Sequence, residues 1–145
     1  MRNPERNCII VASFSGIREL IDAFHKINDK EIKLVICGSG DLQIDVIRAS
    51  QSDQRIIYKG LLPRDEAVQL QNQAKVLINP RRPDGEITRY SFPSKTMEYL
   101  ASGTPMIGYR LEGIPEEYYS YYYTVNDMSE DSLTNCIEEV IALSD

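Results

Sequence analysis

The stretch that decides the fold is residues 32–41, IKLVICGSGD, in which an apolar run ends in glycines. The run 32–37 has the length and β-branched content of a buried strand. Gly38 ends this run, and residues 41–50 then show the apolar spacing of a helix. The inward side of this predicted helix carries Leu42, Val46 and Ile47. The stretch therefore predicts a strand, a tight turn and a helix.

The same order is found upstream. Residues 8–14, CIIVASF, are typical of a buried strand, and Ser15 is a residue type that caps helices. The helix predicted after Ser15 carries its apolar residues at helical spacing, namely Ile17, Leu20, Ile21, Phe24 and Ile27. Two consecutive strand–helix units are thus predicted in the first third of the chain.

The alternation continues downstream. Further strands are predicted at 55–58, 75–78, 104–109 and 122–125, and helices from Pro63, over 93–102, within 112–121 and over 129–143. Such alternation indicates an α/β protein with a doubly wound, mainly parallel, Rossmann-like sheet of about six strands and helices on both faces. All 145 residues are predicted to form one domain. Ligands bind such sheets beyond the carboxyl ends of the strands.

Composition narrows the class of protein. The net charge is −6, from 16 basic and 22 acidic residues, which disfavours a nucleic-acid partner. The three cysteines, Cys8, Cys37 and Cys136, are too scattered for a disulfide framework or a metal cluster, and we expect reduced thiols in the cytoplasm. No apolar run has transmembrane length, and the polar start of the chain does not resemble a signal peptide. His25, the only histidine, is expected at the surface or in packing.

Two glycine turns are candidates for close backbone contact with a ligand. Gly38 and Gly40 suggest a dinucleotide fingerprint, but Gln43 stands where a third glycine or alanine is required. A plain tight turn explains the pair equally well. Gly60 ends the third predicted strand in the same way and begins the run 60–62.

The most specific segment is residues 90–105, YSFPSKTMEYLASGTP, behind the long loop 79–92. Pro93 is expected to open a helix whose free amides can bind phosphate. Lys95 is unfavourable at this end of a helix dipole unless an anion binds there. Glu98 follows one turn later and can accept both hydroxyls of a ribose. The alternative is a solvated Lys–Glu pair on a surface helix.

This segment resembles the signature of retaining, metal-independent GT-B glycosyltransferases of family four, in the branch of bacterial capsule and exopolysaccharide enzymes. Their carboxy-terminal domain carries two glutamates eight positions apart, followed by a helix that ends in Gly-Thr-Pro. Glu98 matches the second glutamate, which binds ribose in the family, and residues 103–105 match the ending. The turns at Gly38 and Gly60 and the loop 113–116 match as well. The resemblance spans nearly the whole chain.

Two departures from the family pattern concern the donor. Tyr90 stands where the first glutamate, which contacts the donor sugar, is expected. The cations that follow the first strand in the family are also missing, since Ser15 occupies the lysine position. The resemblance then implies that the diphosphate is bound by other residues. The candidates are Pro93, Ser94 and Lys95 with one of Arg81, Arg82 and Arg89.

The resemblance also implies the remaining roles. The base would contact Gly38, Gly60, Leu61 and Leu62, and the residues near the sugar would be Tyr90, Ser91 and Phe92. Nucleotide sugar, with UDP as the expected nucleotide, is a substrate, and no cofactor, metal or catalytic residue is assigned. The tyrosines at 118, 119, 121, 122 and 123 could stack on a base or form a domain contact, but packing is favoured.

The resulting hypothesis is a donor-binding domain of a retaining glycosyltransferase for polysaccharide synthesis. It would transfer sugar to a saccharide or lipid-linked acceptor held by an amino-terminal domain absent from this chain. The isolated domain is expected to be inactive, and the full-length enzyme could lie at a membrane surface. The alternatives are a sugar-nucleotide epimerase of similar fold and a non-enzymatic α/β binding module.

Overall fold

The computed structural model describes residues 8–11, 15–83, 94–111 and 113–143, with the side chains of 8–11, 94 and 95 excepted. The strands are β1 (Cys8–Val11), β2 (Lys33–Cys37), β3 (Ile56–Gly60), β4 (Val76–Asn79), β5 (Met106–Gly108) and β6 (Tyr123–Thr124). The helices are α1 (Ile17–His25), α2 (Gln43–Ser52), α3 (Arg64–Gln73), α4 (Ser94–Ala101) and α5 (Glu130–Leu143). A 3-10 helix, Glu116–Ser120, precedes β6.

The six strands form one sheet in the order β3-β2-β1-β4-β5-β6. Every adjacent pair is parallel. The predicted α/β class and parallel sheet are therefore confirmed. A parallel sheet covered by helices buries both of its faces. In agreement, residues 34–37 of β2 and all four residues of β4 are buried.

Helices cover both faces because the chain leaves the centre of the sheet in two directions. From β1 it moves through α1 to β2, and from β4 it moves through α4 to β5 on the other side. Right-handed crossovers then place α1 and α4 on opposite faces. α5 joins the α1 face, where the Thr134 hydroxyl donates to the Ala23 carbonyl at 2.9 Å. α3 lies beside α4, because Gln71 of α3 contacts Glu98 of α4.

The inward residues predicted for the first helix are all buried: Ile17, Leu20, Ile21, Phe24 and Ile27. The cap predicted for this helix is wrong. α1 begins after Gly16, whose φ is +82°, and no side chain caps it. The reason is tertiary, because Gly16 packs directly against the Pro80 carbonyl.

One predicted inward residue of the second helix is also wrong. Ile47 is 36% exposed, whereas Val46 and Ala49 are buried and Leu42 is half-buried against the core. Positions 42, 46 and 49 form a single stripe at helical spacing, and Ile47 lies beside that stripe. The helix begins at Gln43 and ends at Ser52, two residues later at each end than predicted.

Arg55 ties the β3 side of the sheet to α1. Its Nη2 donates to Asp53 Oδ2 at 2.9 Å, and its Cζ lies 4.5 Å from the centroid of the Phe24 ring. The hydrogen bond from Arg55 is the main cause that lowers the pKa of Asp53. His25, on α1, is exposed as expected, with Nε2 3.9 Å from Asp53 Oδ2.

Candidate functional site

The topological switch point of the sheet lies between β1 and β4, since the chain leaves these neighbouring strands in opposite directions. In sheets of this kind a crevice forms there, at the carboxyl ends of the strands. A Cβ added to Gly16 would lie 2.0 Å from the Pro80 carbonyl oxygen. The turn after β1 and the segment after β4 therefore meet in close contact at the switch point, and only glycine fits.

Two of the predicted base-contacting turns lie together at this edge. The Gly38 amide donates to the Gly60 carbonyl at 2.8 Å, and the Tyr58 hydroxyl donates to the Gly38 carbonyl at 2.6 Å. Leu61 is 77% exposed, and Leu62 is half-buried against the core. An apolar side chain is thus presented beside ordered backbone, an arrangement suited to the flat face of a base.

The start of α4 is fixed to the end of β4 by a buried pair of polar side chains. Asn79 Nδ2 donates to Thr96 Oγ1 at 3.1 Å, and the two residues are 3% and 2% exposed. Asn79 Oδ1 also accepts from the Arg81 amide at 3.3 Å. Buried amides and hydroxyls that are bonded in this way hold their elements in one arrangement. α4 therefore begins, at Ser94, beside the switch point.

Glu98 is half-buried between α3 and α4. Its Oε1 accepts a hydrogen bond from Gln71 Nε2 at 3.2 Å. Gln71 is only 1% exposed, and its own carbonyl accepts from the Thr104 hydroxyl at 3.0 Å. Glu98 is therefore packed against α3 on one side and is not fully exposed.

The two described arginines of the loop after β4 are half-buried at the same edge. Arg82 faces α1 and the segment before α5, where Nε lies 4.0 Å from Glu19 Oε1 and Nη1 donates to the Met128 carbonyl at 3.5 Å. It lines a hollow of about 180 Å³ together with Tyr109. Burial raises the pKa of Tyr109. A phosphate would compete with Glu19 for Arg82.

Several predicted site residues lie outside the described part of the chain. These are Arg89, Tyr90, Ser91, Phe92 and Pro93. The backbone of Ser94 and Lys95 forms the first turn of α4, and their side chains are not described. Their roles stay predictions.

Two tyrosines of the tyrosine-rich segment, Tyr119 and Tyr122, serve in packing, whereas Tyr121 and Tyr123 are 71% and 43% exposed. The Tyr119 hydroxyl donates to the Leu111 carbonyl at 2.6 Å, and that of Tyr122 donates to the Tyr109 carbonyl at 2.9 Å. Burial strongly raises the pKa of Tyr122. β6 lies five strands from β3, about 24 Å at the usual strand spacing. These rings are therefore too far from Gly60 to stack on a base bound there.

Sequence reasoning missed Gln71, Thr96 and the side chain of Asn79. Asn79 carried a signal, because it is a polar residue at the end of a buried strand on the ligand edge. Gln71 carried none, since nothing local marks it as buried. Among the described residues, no three His, Cys, Asp or Glu side chains are grouped as a metal site would require. None of the described helices is long and apolar enough to cross a membrane.

The fold and this edge define a Rossmann-like domain, a class of sheet in which ligands bind at the switch point. The chain belongs to the glycosyl transferases group 1 family, whose model matches residues 5–142. No curated protein matches the chain in sequence.

Solved structures share the fold at low sequence identity. The pneumococcal O-GlcNAc transferase GtfA, in complex with UDP and GlcNAc, is 22% identical with a TM-score of 0.66, over 94% of this chain and 28% of its own. WaaG, a glycosyltransferase involved in lipopolysaccharide biosynthesis, is 13% identical with a TM-score of 0.71, over 95% and 39%. The UDP-GlcNAc 2-epimerase from Neisseria meningitidis, bound to UDP-GlcNAc, is 11% identical with a TM-score of 0.68, over 97% and 37%.

The chain thus spans well under half the length of these structures. Together with the family match, the glycosyltransferases among them identify the fold as that of a GT-B carboxy-terminal domain.

Proposed function

We propose that this chain is the donor-binding domain of a retaining glycosyltransferase that makes a polysaccharide. It binds a nucleoside diphosphate sugar while an amino-terminal domain, not contained in this chain, holds a saccharide or lipid-linked acceptor. The observation that carries the proposal is the start of α4, which the buried Asn79–Thr96 bond holds against the end of β4. Membership of the family supports the same reaction class.

The first turn of α4 is the proposed diphosphate site. The first four amides of a helix have no partner within it, and they attract anions together with the helix dipole. α4 begins with Ser94 and Lys95, and we assign the hydroxyl of the first and the cation of the second to the same diphosphate. One arginine, Arg81, Arg82 or Arg89, supplies further positive charge to the diphosphate. Pro93 sets the entry into the helix.

Glu98 is the proposed ribose ligand, and the turns at Gly38 and Gly60 bind the base. Glu98 lies one helical turn after Lys95 in α4. In this proposal the start of α4 contacts the phosphates and the next turn contacts the ribose. Leu61, exposed beside Gly60, covers the base. Tyr90, Ser91 and Phe92, which come shortly before α4 in the sequence, are assigned to the sugar.

The reaction in this proposal depends on stabilising the departing diphosphate. Amides and cations fixed where negative charge develops lower the barrier without reorganising during the reaction. Positioning of donor against acceptor requires the second domain, so we expect the isolated chain to bind nucleotide and to transfer nothing. Metal independence, a cytoplasmic location and the choice of UDP belong to the same proposal.

A sugar-nucleotide epimerase is the second candidate, because two of the similar structures are 2-epimerases. Product analysis of the full-length protein separates the two. An epimerase converts the nucleotide sugar without an acceptor, whereas a transferase releases nucleoside diphosphate only as the acceptor is glycosylated. A non-enzymatic module would not bind nucleotide at this edge.

The test is calorimetry of UDP and uridine at two salt concentrations. UDP is expected to bind more tightly than uridine. The gap between the two affinities is expected to shrink as salt is added, because exposed charges are screened over about 10 Å at 0.1 M. Lys95→Ala narrows the gap and leaves uridine unchanged. The control is Lys33→Ala, which removes the same charge from the start of β2 at the opposite edge. Absence of a gap in the unaltered protein at low salt would remove α4 as a phosphate site.

A further inference from the structure

Gln71 is a buried polar side chain whose partner is the proposed ribose ligand. It is 1% exposed, and its Nε2 donates to Glu98 Oε1 at 3.2 Å. Burying an amide is unfavourable unless it is hydrogen-bonded. Among the described residues, the other buried polar side chains link elements of the fold: Asn79 and Thr96 join β4 to α4, and Thr134 joins α5 to α1. Gln71 instead donates to a carboxylate of the site.

Gln71 reaches Glu98 from the side away from the ligand edge. α3 runs from the ligand edge to the opposite edge, and Gln71 lies in its last turn. The Gln71 carbonyl accepts from Thr104, which lies just before β5 and therefore near the amino ends of the strands. Because helical side chains lean toward the helix amino terminus, the amide of Gln71 points back toward the ligand edge. This amide therefore donates to the Glu98 carboxylate from the side away from the ligand edge.

We infer that Gln71 is a positioning residue that orients the Glu98 carboxylate for the ribose hydroxyls, an inference that rests on the proposed function. A carboxylate accepts about four hydrogen bonds through two oxygens, so a single bond to Gln71 is compatible with a role of Glu98 in binding the ribose hydroxyls. The bond holds a flexible side chain in one rotamer before ligand arrives. A side chain that is already held in its binding orientation increases affinity without a new ligand contact.

The experiment compares UDP with 2′,3′-dideoxy-UDP by calorimetry on the 145-residue chain. Gln71→Met keeps the length of the side chain and removes its donor. We expect it to weaken UDP binding about tenfold, the equivalent of roughly 1.4 kcal/mol, and to leave the dideoxy analogue nearly unchanged. Gln73→Met, on the same helix at an exposed position, is the matched control and retains full preference for UDP.

A double variant shows whether the effect passes through Glu98. If Gln71 acts only by orienting that carboxylate, adding Gln71→Met to Glu98→Gln weakens UDP binding far less than tenfold. Should Gln71→Met fail to fold, Gln71→Asn keeps the buried amide one methylene short of Glu98, and the same loss of preference is expected.

The outcomes separate the two proposals. If UDP is preferred by the unaltered protein and equally by Gln71→Met, the positioning role is overturned and the donor-site proposal stands. Equal weakening of both nucleotides by Gln71→Met shows a general structural role and also overturns it. If the unaltered protein binds both nucleotides alike, the ribose role of Glu98 fails, and the role of Gln71 fails with it.

Discussion

Gly16 is where the geometry of the site can be tested most directly. Its φ is +82°, and an added Cβ would lie 2.0 Å from the Pro80 carbonyl oxygen. Gly16→Ala therefore imposes two costs. A left-handed conformation costs a residue with a Cβ about 1–2 kcal/mol. Displacing a packed neighbour costs about 1–3 kcal/mol, and here the neighbour is backbone, which yields less easily than a side chain. We expect the free energy of unfolding to fall by about 2–5 kcal/mol.

Gly103→Ala is the matched control for this prediction. Gly103 has a φ of +76°, but an added Cβ has nothing within 4 Å, so only the conformational cost applies. Urea unfolding followed by far-UV circular dichroism measures both variants. The difference between them isolates the contact with Pro80. Equal losses of stability in the two variants would refute that contact, whereas a Gly16→Ala chain that cannot fold beside a folded Gly103→Ala chain supports it.

Three further predictions concern the site and the pH dependence of folding. Glu98→Gln is expected to weaken UDP binding by up to about 1.5–3 kcal/mol in calorimetry, since the charged acceptor of the ribose hydroxyls is replaced by a neutral amide, and unchanged affinity contradicts the ribose role. Thr96→Val leaves the buried Asn79 amide without its partner, so thermal unfolding should show a loss of about 1–3 kcal/mol; a neutral result means that this bond does not anchor α4. The lowered pKa of Asp53 contributes stability that is present above the ordinary pKa of an aspartate, about 4, and is lost as pH falls through the lower pKa of the folded state. Asp53→Asn should therefore remove part of the loss of stability that urea unfolding shows below pH ~4. If the free energy of unfolding falls with pH identically in the unaltered protein and in Asp53→Asn, the pair with Arg55 is not coupled to folding.

Local patterns predicted the elements well where one residue type or period dominates. The strand and helix order follows from apolar runs ended by glycine or proline, and Gly38 and Gly60 fall at one edge as expected. Prediction was poorer where burial depends on a distant partner. Ile47 matches a helical period, yet α2 presents Ala49 to the sheet instead, because the inward stripe is chosen by contact with β3.

The site shows the same division between local and distant information. Glu98 and Lys95 were predicted as a pair from their spacing, because a helix places residues three positions apart on one side. Gln71 could not be found in this way, since it stands 27 positions before Glu98 on another helix and meets it only after both helices pack on the sheet. Ser15 was predicted as a helix cap from its residue type, which is local information. The prediction failed because the left-handed turn at Gly16 is imposed by contact with Pro80, which lies far away in the chain.

The amino-acid sequence by itself determined the α/β class and the order of the elements, and it predicted the edge of the sheet at which we propose that a ligand binds. These follow from hydrophobic periodicity and turn residues, which act over a few positions. The tertiary structure alone decided that Pro80 closes on Gly16, that Asn79 holds the start of α4 and that Gln71 stands behind Glu98. These contacts join segments far apart in the chain, and they exist only because packing of the sheet and helices brings the segments together.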